Sequence, residues 1–258
     1  MKILRRKKEE KRINFCDLHS HYLYGIDDGS KSTEESISLI KKAYEEGTTS
    51  IILTPHYIRK SKYNANNEVK LERFNKLKEE LKKQNINVNL YLGNEVFISS
   101  QILRLIEENE IYTLNNSRYV LIEFGLSQIL YEAKDIIFDL VRKGYIPVLA
   151  HPERYKIFQK DPERITNYIK LGVLLQCNYQ SLFGNYGTKA RKTAKYFLKK
   201  RYITFLGSDT HHDNKLNLDK LENKLLKIIK DQDYVDEIMN KNFNKVIKDI
   251  ELGAKTWH

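Results

Sequence analysis

Seven short runs rich in β-branched and aromatic residues recur along this chain, at residues 13–18, 50–54, 88–92, 118–124, 146–150, 173–178 and 203–207. Their length and apolar content read as buried strands. Helical patterns fall between them, at 68–83, 129–143, 162–171 and 189–200, and helix alone follows residue 215 to about 253. The first helix is the best marked. Ser32 with Glu35 makes a capping box, Ile37, Ile40 and Tyr44 form an apolar stripe, and Gly47 supplies a stop. Asp161 before Pro162 reads as an N-cap and first-turn pair. Such alternation implies parallel strands joined by right-handed crossovers, in an open doubly wound sheet or a closed barrel.

What stands just past the strand ends separates these two folds. Six of the seven ends carry a residue able to bind a metal: His19 and His21, His56, Glu95, Glu123, His151, then Asp209 and His211. Five of the seven histidines are in this set, and histidines placed for packing have no reason to follow strand ends. An open sheet brings few strand ends to its site, whereas a barrel converges all of them on one mouth. The expected fold is therefore α/β, a (βα)7 TIM-like barrel with a metal site at the C-terminal mouth of its strands. A chain of 258 residues suits one such domain, read as residues 13–258 after a basic segment at 1–12.

Composition sets the remaining bounds. An apolar fraction of 41% supports a folded core, and the formal charge of +11 comes largely from lysines interspersed with glutamates on helices, as at 71–83, the pattern of a solvated face. A basic surface would also attract phosphorylated substrates. The run from Lys2 to Arg12 has no apolar segment behind it and does not read as a signal peptide. No stretch approaches the roughly 20 apolar residues that span a bilayer. Cys16 and Cys177 sit inside strand-like runs and give no disulfide framework, so a cytosolic location is expected.

The chemistry follows from residue types and spacing. In an extended segment alternate side chains share a face, so His19 and His21 can address one ion, and the carboxylates of Asp27-Asp28 can reach back to it. Pro55 keeps the chain extended up to His56. Glu123, between Ile122 and Phe124, reads equally as a ligand or as half of a buried salt bridge. Nine such donors exceed what one ion can use. Imidazole and carboxylate without thiolate suit manganese, iron or zinc, shared by two or three ions. Clustered ions polarise a phosphoryl oxygen and activate a water, which is phosphoester hydrolysis without a protein nucleophile. Arg154, close after His151, is placed to hold the phosphate. The sixth strand offers Gln176, Asn178 and Gln180, expected to contact substrate rather than metal. A cysteine-dependent phosphatase needs an arginine closing the loop that its cysteine opens; at that spacing stand Tyr22 and Phe183. No GxxxxGK[ST] loop or GxSxG elbow occurs.

At these residues the chain resembles the PHP (polymerase and histidinol phosphatase) superfamily, and within it the bacterial capsular and exopolysaccharide biosynthesis tyrosine phosphatases. The resemblance runs through Asp17-Leu-His-Ser-His21, Asp27-Asp-Gly-Ser-Lys-Ser-Thr-Glu-Glu-Ser36, Thr54-Pro-His56, Gly93-Asn-Glu95, Asn116-Ser-Arg-Tyr-Val-Leu-Ile-Glu-Phe124, Ala150-His-Pro-Glu-Arg-Tyr155 and Ser208-Asp-Thr-His211, and it implies a distorted (βα)7 barrel, the PHP fold. It implies a manganese-dependent protein-tyrosine phosphatase with His19, His21, Asp28, His56, Glu95, Glu123, His151, Asp209 and His211 as metal ligands. Arg154 becomes the phosphate-contacting arginine, and Asp27 a supporting or turn residue. The implied substrate is the C-terminal tyrosine cluster of an autophosphorylated kinase controlling polysaccharide export, which would also bring the protein to the membrane periphery. Relatives place a second arginine after the last histidine; here the segment reads His212-Asp-Asn-Lys215, so Lys215 is the candidate replacement, a point charge without the fork. Rival readings on the same residues are a small-molecule phosphatase of the histidinol-phosphate type, a metal-dependent nuclease and a non-enzymatic metal-binding module. No nucleic-acid partner is expected, since no nucleic-acid module is appended.

Overall fold

The computed structural model describes residues 14–212 and 216–252. The basic segment at 1–12 and Lys215 lie outside them. The expected seven strands are present as nine segments: β1 (Phe15–Ser20), β2 (Thr48–Leu53), β3 (His56–Tyr57), β4 (Asn89–Leu92), β5 (Glu95–Phe97), β6 (Tyr119–Glu123), β7 (Ile146–Leu149), β8 (Leu174–Asn178) and β9 (Ile203–Gly207). All pairings are parallel, but they divide into two sheets, β1-β2-β4 and β3-β5-β6-β7-β8-β9. The two added segments, β3 and β5, lie beyond the runs expected at 50–54 and 88–92, each just past a break. Pro55, which has no N–H to give a ladder, separates β2 from β3, and Gly93-Asn94 separates β4 from β5.

Alternate strand residues go to two apolar clusters, as expected when both faces of a parallel sheet are covered. Phe15, Ile51, Leu53, Val120, Ile122, Leu149, Leu175 and Leu206 pack with the helices. Cys16, Leu18 and Ile52 of the first sheet meet Tyr119, Leu121, Val148, Leu174 and Phe205 of the second, joined by Phe243 and Val246 of the helix Asn242–Ile247. Between β9 and β1 the chain makes no ladder. Their ends are tied by Asp209 N–H to His19 O at 2.8 Å and His21 N–H to Thr210 O at 3.1 Å. Among the described residues, no helix is long and apolar enough to cross a membrane.

The first helix spans Thr33–Glu45, with Ser32 Oγ accepting from Glu35 N–H at 3.2 Å. Glu35 reaches back to the N–H of Lys31 rather than Ser32. The helix expected at 162–171 is instead a 3-10 turn, Pro162–Ile165, followed by the short helix Thr166–Ile169, and the Asp161 side chain makes no cap.

Candidate metal centre and active site

The site is assembled where strands end. In β1 the register against β2 shifts between Asp17 and Ser20, so the alternation that buries Cys16 and Leu18 in the inner cluster is broken just before His19. Bulges re-aim side chains in this way. Asp17 Oδ1 holds the bulge, accepting from the N–H groups of His19 (3.2 Å) and Ser208 (2.8 Å). A Cβ at Gly207 would stand 2.7 Å from that of His19, so glycine lets the last strand pass close beside it. His19 Nε2 and His21 Nε2 come to 3.0 Å.

His56 opens β3 in register with Glu95, the first residue of β5. Paired residues of a parallel ladder point the same way, and His56 Nδ1 lies 2.9 Å from Glu95 Oε2. Asn94 secures both breaks by donating to Pro55 O at 2.8 Å while accepting from Tyr112 N–H and the buried Lys70 ammonium. Glu123 follows Tyr119 and Leu121 on the inner face of β6 and sits 3.8 Å from His56 Nδ1. His151, in left-handed backbone at φ 33°, precedes the turn Pro152–Arg154, and its Nε2 is 2.9 Å from Glu95 Oε1 and 3.7 Å from Glu123 Oε1. Asp209 is also left-handed, at φ 51°. Two strained non-glycine residues at one site is a pattern of functional centres. The Asp209 Oδ1 faces His21 Nε2 (3.3 Å) and His19 Nε2 (3.6 Å). The His211 ring stacks on that of His21 at 3.9 Å, and Asp28 Oδ1 lies 3.6 Å from His211 Nε2 and 3.7 Å from His56 Nε2.

Among the described residues, three overlapping groups could hold a metal ion: His21, Asp28, His56 and His211; His19, His21, Glu95 and Asp209; and His56, Glu95 and Glu123. Within each, the donor atoms lie within 4.8 Å of one another. Asp28 Oδ1, His56 Nδ1 and Glu95 Oε2 are buried and, close as the last two lie, none of them makes a well-aligned hydrogen bond, which a cation among them would remedy. The electrostatics agree. Burial opposes charge on His19, yet the carboxylates of Glu95 and Asp209 hold its imidazole up at about 9. Glu95 is held well below the usual carboxylate range, against its burial, by His19 and His56. Burial and the neighbouring Glu95 push Glu123 up to about 8, a proton that a cation there would displace. The centre of the cluster favours positive charge.

Arg154 stands at the rim, its guanidinium 4.5 Å over the Tyr186 ring and its Nη1 bonded to Asp209 Oδ2 at 2.6 Å. All nine residues expected as ligands are thus brought together with the expected arginine. Two of the sixth-strand amides touch the cluster itself. Gln176 Oε1 takes His19 Nδ1 at 3.0 Å and His151 N–H at 3.2 Å, and Asn178 Nδ2 donates to Asp209 Oδ2 at 2.6 Å, so these residues orient the cluster. Asp27 supports it too, binding His21 Nδ1 at 2.7 Å and the N–H groups of Gly29 and His56. Sequence reasoning passed over Glu153, fully buried and accepting from Ser181 Oγ and Asn178 N–H, and Tyr186. The buried acid in Pro152-Glu153-Arg154 leaves no periodic signal, being inside a turn.

Fold and site define a parallel α/β protein whose C-terminal strand ends gather a histidine–carboxylate cluster suited to divalent metal. Residues 15–248 match the model of the family described as capsular polysaccharide synthesis, CpsB/CapC, and the chain belongs to that family, as the motifs led us to expect. It is 37% identical over 195 residues to CapC of Staphylococcus aureus, covering 76% of each chain. It is 32% identical over 201 residues to the tyrosine-protein phosphatase CpsB of Streptococcus pneumoniae, covering 76% of this chain and 82% of that one. A solved chain from the crystal structures of YwqE from Bacillus subtilis and CpsB from Streptococcus pneumoniae, called unique metal-dependent tyrosine phosphatases, superposes with a TM-score of 0.86 at 26% identity. That match covers 93% of this chain and 96% of the other. A lactonase from Listeria monocytogenes, at TM-score 0.54 and 12% identity over 92% of this chain and 95% of its own, shares the fold alone.

Proposed function

We propose that this chain is a metal-dependent protein-tyrosine phosphatase, a phosphoric monoester hydrolase. The observation that carries the reading is the environment of one atom. Glu95 Oε2 lies 2.9, 3.1 and 3.3 Å from ring nitrogens of His56, His19 and His21, the last two from the end of β1 and the first from the start of β3, all closing on one buried carboxylate. The family's tyrosine phosphatases supply the substrate class. His19, His21, Glu95 and Asp209 would hold one ion, His56, Glu123 and His151 with Glu95 a second, and Asp28 and His211 with the shared histidines a third. Manganese is our expected ion, with iron or zinc as alternatives. Bound there, the ions supply Lewis-acid polarisation of phosphoryl oxygens and acidify a water toward neutral pH.

The chain's own residues prepare the rest. Arg154 binds and neutralises the phosphate from the rim, its orientation fixed by Asp209 and Tyr186. Gln176 and Asp27 hold the Nδ1 sides of His19 and His21, leaving both Nε2 atoms turned to the centre. Access is from the side of Asp28, His211 and Arg154, whose side chains are 48%, 23% and 24% exposed, while those of His19, His21 and Glu95 are fully buried.

We read the two sheets as arcs of one distorted seven-stranded barrel in a single domain, with a cytosolic location and reduced cysteines. The proposed substrate is the tyrosine cluster of a kinase controlling polysaccharide export, and Lys215 stands in for the second arginine of relatives. The test is phosphate release from phosphotyrosine peptides by metal-free and manganese-loaded protein, beside phosphoserine peptides and histidinol phosphate. Manganese-dependent release from phosphotyrosine that His151→Ala abolishes is expected. Equal activity of the variant, or preference for histidinol phosphate, would sink the proposal.

A further inference from the structure

Arg154 is joined through Tyr186 to a second group of cations. Tyr186, on which it stacks, is followed at once by the helix Gly187–Lys199, which carries four lysines and an arginine with no acidic residue. Alongside runs the helix Leu218–Ile229. Between them is a groove of about 770 Å³, lined by Phe183 and walled by Lys195 and Lys199 from one helix and Lys220, Lys224 and Lys227 from the other. Among the described residues no carboxylate lines it; Glu222 of the second helix bonds Gln232 instead. The spacing is one-sided on both walls: 195 and 199 are one turn apart, and 220, 224 and 227 follow i, i+4, i+7. Like charges at that spacing repel and destabilise a helix. Lys224 is crowded enough that partial burial, with Lys195, Arg191 and Lys227 nearby, draws its ammonium below the usual lysine range. Five lysines with no carboxylate among the described lining residues suit an anionic occupant.

We propose that this groove docks an acidic segment flanking the phosphotyrosine of the protein substrate, a deepening that rests on the phosphatase reading above. The first helix has 13 residues and is about 20 Å long, which an extended peptide of about six residues spans. A flat bilayer cannot follow a groove between helices, and Lys224 covers a face of Phe183 at 4.2 Å, which takes that face from nucleic-acid bases. A peptide with Asp or Glu within about six residues of the phosphotyrosine therefore gains contacts remote from the reacting phosphate. Such contacts lower KM and leave kcat alone.

The test is the triple variant Lys195→Ala/Lys220→Ala/Lys224→Ala in the full chain, with two readouts. Fluorescence anisotropy of a labelled acidic peptide lacking phosphate measures docking without chemistry; its affinity is expected to fall about tenfold in the variant and to weaken with salt in the wild type. Phosphate release then compares a phosphotyrosine peptide with an acidic flank, the same peptide with a neutral flank, and free phosphotyrosine. KM is expected to rise about tenfold for the first alone. Equal anisotropy in both proteins, or a KM change shared by all three substrates, overturns the proposal. So does a triple variant that loses binding to phosphatidylserine vesicles or a DNA oligonucleotide while keeping the acidic peptide. Failure of every phosphotyrosine substrate in the wild type would refute the phosphatase reading, while anisotropy still decides whether the groove takes an acidic chain.

Discussion

Arg154 Nη1 donates to Asp209 Oδ2 at 2.6 Å, and the other oxygen of the same carboxylate faces the imidazoles of His21 and His19 at 3.3 and 3.6 Å. One carboxylate therefore links the rim cation to the buried histidine pair. Asn178 shares the load, donating to the same Oδ2, so Asp209 keeps a partner there when Arg154 turns to a phosphate. Arg154→Lys keeps the charge but loses the planar fork. Its kcat/KM for phosphotyrosine peptide is expected to fall about 100-fold with metal content unchanged by elemental analysis. Parallel loss of metal would show that Arg154 acts through Asp209 instead of on substrate.

Gln176 accepts from His19 and from the His151 backbone with one oxygen, fixing a ring and a strand end together. A ligand's outer partner is typically worth 10- to 100-fold in metal affinity. Gln176→Leu keeps the bulk and removes the acceptor, so half-maximal activation by manganese is expected to require about 10-fold more metal. Activity at saturating metal should recover. An unchanged activation curve would mean His19 needs no such orientation.

Much of this arrangement was legible because metal-capable residues fall at strand ends, and parallel connectivity brings those ends together. Glu123 was readable in hindsight by parity, two steps on from Leu121. What escaped was set by irregular backbone. The bulge at Asp17–Ser20 has no sequence period, and past the breaks at Pro55 and Gly93-Asn94 the chain forms two short strands, at 56–57 and 95–97, beyond the runs expected at 50–54 and 88–92. Gln176 and Asn178 were visible as polar residues within a strand, but nothing in the sequence tells whether an amide faces a substrate or a neighbouring ligand.

Gly29 is fixed by contact distance. A Cβ there would meet the carbonyl oxygen of His21 at 2.2 Å and its Cβ at 2.7 Å, so Gly29→Ala must displace either the Asp27 turn or His21. Overpacking of this kind costs about 1–3 kcal/mol. Thermal unfolding should show that loss, together with reduced metal retention after dialysis. Wild-type values for both would mean that the turn yields without disturbing the histidine.

Lys70 links pH to stability away from the cluster. Its side chain is buried, its Nζ donates to Asn94 Oδ1 at 2.7 Å, and burial pushes the ammonium down to about 7. An unfolded lysine titrates near 10.4. Between about pH 7 and 10 the unfolded chain therefore holds a proton that the folded chain has released, so this residue's contribution to stability rises with pH. Below about pH 7 both states are protonated and the folded one bears a buried charge. In Lys70→Met the slope disappears, while Asn94 Oδ1 keeps the Tyr112 N–H at 2.9 Å. Urea unfolding at pH 6.5 and 9.5 should show the wild type gaining on the variant by about 1–3 kcal/mol at the higher pH. A pH-independent difference would mean that the Tyr57 and Tyr112 rings, 5.5 and 5.3 Å from the ammonium, sustain its charge throughout.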